Sequence, residues 1–126
     1  MSTRPLSGAE QSLLEALLSV PDPHVQSVRE QLPHARVEPR ESLPNNRWLH
    51  LVVDTSACEP SAYPFRVIVE ADGEDSGGKF DLLLFLSDEG YLAGVEGYRV
   101  ETGADLGSMP PPESIRAKLW TPKAGI

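Results

Sequence analysis

A single cysteine, Cys58, stands in a chain of 126 residues, which excludes an internal disulfide and any zinc site built on several thiolates. Its surroundings, Thr55-Ser56-Ala57-Cys58-Glu59-Pro60, offer no basic neighbour to stabilise a thiolate, so the residue reads as an unpaired thiol and not a nucleophile. No apolar run reaches the roughly 18 residues of a membrane span, and the N-terminus lacks the charged-then-apolar plan of a signal peptide. A cytoplasmic protein with no membrane partner is the expectation. Positive charge is also scarce: 11 Lys and Arg face 19 Asp and Glu, a formal net charge of −8. Affinity for nucleic acid rests on clustered cations, so nucleic acid is excluded as a partner.

The motifs of several chemistries are missing too. No serine lies in a Gly-x-Ser-x-Gly context, and neither Gly90 to Gly94 nor Gly94 to Gly97 forms a phosphate loop leading into a helix. The three histidines, His24, His34 and His50, have no second ligand at one-turn or alternate-strand spacing, so no metal site is encoded locally. Asp72, Glu74 and Asp75 among Gly73, Gly77 and Gly78 imitate a calcium loop. The position where such a loop needs a bidentate Glu, however, holds Leu83. The carboxylate pairs Glu70 with Asp72 and Asp88 with Glu89 lack the apolar pocket that acid–base work on a sugar requires, and read as solvated turn residues. No catalytic residue, cofactor or metal is therefore assigned, and the balance is against an enzyme.

What is present is a legible order of elements. Ser7 and Glu10 have capping-box spacing, and Leu13, Leu14, Leu17 and Leu18 then recur at helical steps up to the break at Pro21. Asp22-Pro23 restarts the chain with an N-cap and a first-turn proline, and predicts a second helix to about Leu32, stopped by Pro33, with Val25, Val28 and Leu32 on one side.

Beyond Pro33 the period becomes two. Ala35-Arg36-Val37-Glu38 predicts a weak strand, Pro39 to Asn46 a polar loop, and Arg47 to Asp54 a strong strand. Alternation there sets Leu49, Leu51 and Val53 toward a core and Trp48, His50 and Val52 the other way. Pro64 to Glu70 predicts another strand and Asp72 to Gly78 an acidic turn. The clearest stretch follows: Phe80-Asp81-Leu82-Leu83-Leu84-Phe85-Leu86 runs through Ser87-Asp88-Glu89-Gly90 into Tyr91 to Val100, the pattern of an antiparallel hairpin. The tail has Pro110-Pro111-Pro112 and a short helix expected from Ser114 to Trp120. With 12 prolines and 10 glycines, connections are many.

These elements predict one α+β domain over residues 1–126, an N-terminal helical pair packed on one face of an antiparallel meander sheet of about five strands. The acidity is concentrated: residues 51–112 hold three basic and twelve acidic side chains.

His34-Ala35-Arg36-Val37, Leu51-Val52-Val53-Asp54, Gly90-Tyr91-Leu92-Ala93-Gly94-Val95-Glu96-Gly97-Tyr98 and Pro110-Pro111-Pro112-Glu113-Ser114-Ile115 together resemble a family of small bacterial proteins of unknown function, common in actinobacteria. The resemblance implies a helical N-terminus, a sheet ending in a Tyr-Leu-x-Gly-x-Glu hairpin and a proline-rich exit. Members often carry a cysteine-rich turn before the strand at Leu49 to Val53. Ser42 to Arg47 stands there instead, so a metal role does not carry over.

The resulting functional expectation is a small acidic protein-binding module for a basic protein partner, of the immunity type that neutralises a toxin. Trp48, His50, Tyr91 and Tyr98 are its candidate binding surface. The alternative is a small-molecule-binding or hydrolytic protein with a pocket between helices and sheet, on the Trp48 and His50 side of that strand.

Overall fold

The computed structural model describes residues 3–38, 47–104, 106 and 109–122, the side chains of Arg47 and Trp48 excepted. The loop expected over 39–46 lies outside the described residues.

Helix α1, Gly8–Leu17, starts where the capping box places it: the Ser7 hydroxyl accepts the Glu10 amide at 3.1 Å and the Glu10 carboxylate accepts the Ser7 amide at 2.8 Å. The same carboxylate receives both terminal nitrogens of Arg4 at 2.8 Å. Arg4 is in turn bridged to Val37 through two backbone hydrogen bonds, so the segment before α1 is tied to the sheet from Arg4 onward. Helix α2, Pro23–Arg29, is capped by the Asp22 carboxylate, which accepts the His24 and Val25 amides. It ends before the expected Leu32. Pro33 disfavours α geometry in the residue before it, and the chain takes a 3₁₀ turn over Leu32–His34 instead.

Six strands follow, in place of the expected five: β1 Ala35–Val37, β2 Arg47–Val53, β3 Val67–Asp75, β4 Gly78–Leu86, β5 Leu92–Arg99 and β6 Ile115–Leu119. They form one open antiparallel sheet in the order β1-β2-β5-β4-β3-β6. Only β3-β4-β5 is a meander; β2 joins the far side of β5, and β6 returns to β3. The segment expected as a terminal helix, Ser114 to Trp120, is instead a strand, β6, entered from a 3₁₀ turn over Pro112–Ser114. Its alternation of Ile115, Ala117 and Leu119 with Arg116 and Lys118 fits a strand with one wet face.

The core joins helices to sheet. Leu13, Leu14, Leu17 and Leu18 of the α1 region and Val25 and Val28 of α2 are fully buried in one cluster with Leu49, Leu51 and Val53 of β2, Ile68 and Val69 of β3, Phe80, Leu82 and Leu84 of β4 and Val95 of β5. The carboxamide of Gln31, also fully buried, accepts the Leu92 amide at 2.8 Å and donates to the carbonyls of Gly90 and Glu59 at 3.0 and 3.1 Å. It pins the β4–β5 turn to the end of α2. Gly90 has φ +92°, and a Cβ there would lie 2.5 Å from the Ser61 carbonyl, so the turn needs glycine on both counts. Among the described residues, no helix is long and apolar enough to cross a membrane.

Candidate functional site

Alternation along the strands leaves a second face of the sheet, directed away from the buried cluster. On it β4 sets Asp81, Leu83 and Phe85, half-buried between Leu82, Leu84 and Leu86, which point into the core. The register aligns Asp81 with Tyr98 of β5 on one side and with Asp72 of β3 on the other, and Leu83 with Glu96 and Glu70. Beyond β3, β6 aligns Lys118 with Glu70 and Arg116 with Asp72. Both rows end in ion pairs, Lys118 Nζ to Glu70 Oε1 at 3.2 Å and Arg116 Nη2 to Asp72 Oδ2 at 2.9 Å.

The centre of this face is the Asp81–Tyr98 pair. Tyr98 and Asp81 are register partners across the β5–β4 ladder, and each acts on the other's protonation. Partial burial, then the negative charges of Asp72 and Glu70, push the Asp81 carboxyl above its ordinary value; the Tyr98 hydroxyl and the Lys118 charge only oppose this. Burial first, and the Asp81 carboxylate next, push the Tyr98 phenol up as well. Glu70, Asp81, Leu83, Tyr98, Lys118 and Trp120 line a groove of about 590 Å³. A second hollow of about 560 Å³ continues past the end of the sheet, sharing Asp72 and Asp81.

Of the residues singled out in the sequence, Tyr98 is at this centre. His50 is on the same face but two strands from Asp81, beside Gly94 in the register, with Nδ1 3.7 Å from the carboxylate of Glu38. Trp48 is in β2, with its side chain outside the described residues. Tyr91 sits apart from Tyr98, at the turn preceding β5, where its backbone closes the turn with Ser87 and its ring packs on the core cluster. The space between the helices and the sheet is filled by the buried leucines and valines, and His50 points away from it.

The acidic run does not form a single turn. Asp72 lies inside β3 and pairs with Arg116, while Asp75 ends that strand and receives Arg99 at 2.6 and 3.2 Å together with the Gly77 amide at 2.8 Å. These contacts hold the Asp75 carboxyl below the usual range, the Arg99 bonds contributing most. Among the described residues no group of three or more His, Cys, Asp or Glu could hold a metal ion.

Asp81, Lys118 and Trp120 are the members of the face that sequence reasoning passed over. A signal for the first existed: a lone carboxylate interrupting the apolar run from Phe80 to Leu86. The other two depend on β6. Trp120 also closes a chain of rings, His24 to Tyr63 to Phe65 to Trp120, with centroids 5.3, 5.6 and 5.6 Å apart, and its carbonyl accepts the Tyr63 hydroxyl. No family model, no curated protein and no solved structure matches this chain.

Proposed function

We propose that this chain is a protein-binding module whose outward sheet face receives a basic partner, in the manner of an immunity-type protein that blocks a toxin. With the N-terminal helical pair on one face of the sheet, the other face is left for docking. One observation carries the reading. Asp81 is half-buried and crowded by the charges of Glu70 and Asp72, so its carboxyl holds a proton more readily than usual. An incoming guanidinium or ammonium would reverse that balance, through charge as well as hydrogen bonding, which a neutral donor supplies only in part. Leu83, Tyr98 and Trp120 supply the apolar and aromatic area that anchors such a contact.

The test is affinity capture from host extract with the wild-type chain and with Asp81→Lys, at low and high salt. A partner held by the wild type at low salt, released at high salt and lost with Asp81→Lys supports the reading. No partner at either salt, or one indifferent to both salt and Asp81→Lys, contradicts it. A second reading follows from the groove itself, whose volume of about 590 Å³ lies within the range of small-molecule sites. A small ligand would saturate the groove at low molecular mass and leave no protein retained.

A further inference from the structure

A different border of the molecule carries its own recognition chemistry. β6 is an edge strand, paired on one side with β3 and on the other, among the described residues, with no strand. The bond from the Trp120 amide to the Ile68 carbonyl fixes the phase of this ladder: the backbone groups of Arg116, Lys118 and Trp120 point toward β3. Those of Ile115, Ala117 and Leu119 therefore point outward. On the helix side of the edge the side chains of Ile115, Ala117 and Leu119 are half-buried against the core. On the outward face stand Arg116, with 86 % of its side chain exposed, and Lys118, with 71 %.

We propose that β6 is a docking edge for an extended acidic segment of another protein, which adds to the sheet as a seventh strand. Three outward amides and three outward carbonyls supply the main-chain pairing, and the alternation of charged and apolar side chains along β6 supplies the selectivity. Carboxylates on one face of the incoming strand lie beside Arg116 and Lys118; apolar residues on its other face extend the layer of Ile115, Ala117 and Leu119. The charge order across the outward face then continues its own alternation, from Glu70 and Asp72 on β3 to Lys118 and Arg116 on β6 to acids on the added strand. A second copy of this chain fits badly. Antiparallel pairing of two β6 strands about Ala117 would set Arg116 opposite Lys118 of the copy, and like charges directly opposite destabilise a ladder.

The experiment uses the full chain and two fluorescein-labelled peptides, Ser-Val-Glu-Val-Asp-Val-Ser and its counterpart with Lys and Arg in place of Glu and Asp, followed by fluorescence anisotropy. Saturable binding of the acidic peptide alone is expected, weakened about tenfold by Ala117→Pro, a loss equal to one or two hydrogen bonds. That proline removes an outward amide and leaves the bonds to β3 in place. Weakening by Arg116→Gln with Lys118→Gln and by salt is expected as well. Because a proline can disturb a short strand, amide hydrogen exchange is measured on the wild type too: the acidic peptide should protect Ile115, Ala117 and Leu119. Equal binding of both peptides, no saturable binding, or binding without protection of those three amides overturns the proposal.

Discussion

Tyr98 and Asp81 face each other across the β5–β4 ladder as register partners, with Asp72 on the opposite flank of Asp81. Burial and the like charges of Asp72 and Glu70 act together on the Asp81 carboxyl. Because the folded chain binds the Asp81 proton more readily than the unfolded chain, protonation favours folding. That contribution is complete below the ordinary carboxylate range and is lost as pH rises through the raised value. Ionised Asp81 therefore costs stability at neutral pH. Asp81→Asn should stabilise the fold at pH 7 by up to about 1 kcal/mol, the size of one like-charge pair in water, with the difference shrinking on acidification. Tyr98→Phe should move the Asp81 titration further up. Urea denaturation across pH and carboxyl ¹³C shifts measure the two effects.

Glu10 has the opposite sign. The two hydrogen bonds from Arg4, assisted by the Ser7 amide and hydroxyl, hold its carboxyl down at about 2 against an ordinary value near 4.5. Its contribution is present above the ordinary value and is lost as pH falls toward about 2. Glu10→Gln should cost about 1 to 2 kcal/mol at neutral pH, the worth of a cap and its partners. Denaturation midpoints of variant and wild type should converge at the acid end; a gap independent of pH would mean that Glu10 acts by packing alone.

Gln31→Leu keeps the volume of the most buried polar side chain and removes all three of its hydrogen bonds. The Leu92 amide is then left without its buried acceptor, and the expected loss is about 2 to 4 kcal/mol. Exchange of the Leu92 amide should accelerate well before global unfolding, because the β4–β5 turn is held to the end of α2 through that one carboxamide.

Leu17 of α1 and Leu84 of β4 have no exposed surface. Truncating either to Ala should destabilise by about 2 to 5 kcal/mol. Chemical denaturation showing less than about 1 kcal/mol for both would place the core elsewhere.

Local chemistry accounts for what the sequence makes legible. Ser7 and Glu10 form their capping box within four consecutive residues, Asp22 and Pro23 set the start of α2, and strict alternation puts Leu49, Leu51 and Val53 inward. The β4–β5 hairpin is likewise local, joined through Ser87 to Gly90. The features that miss are non-local. Ile115 to Leu119 is five residues long, too short for periodicity to separate a strand from a helical turn. Its identity comes from β3, with Arg116 reaching Asp72 from 44 positions away. The acidic run divides for the same reason: Asp72 and Asp75 find arginines that lie far along the chain, and β3 extends through residues that composition marks as a turn. The candidate site inherits this limit. Tyr98 is visible as an aromatic on a hairpin, whereas Lys118 and Trp120 join the face only once β6 is placed.

The docking of cationic groups proposed for the outward face rests on the Asp81 carboxyl. The most direct measurement is the titration of the Asp81 carboxyl by ¹³C NMR, with and without an arginine-rich peptide at low ionic strength. A raised value in the free chain and a marked fall on adding the peptide are expected, the fall reversed by salt and accompanied by shifts at Leu83, Glu96 and Tyr98. An unraised value in the free chain, or a raised one that stays unchanged while the peptide binds, would contradict it.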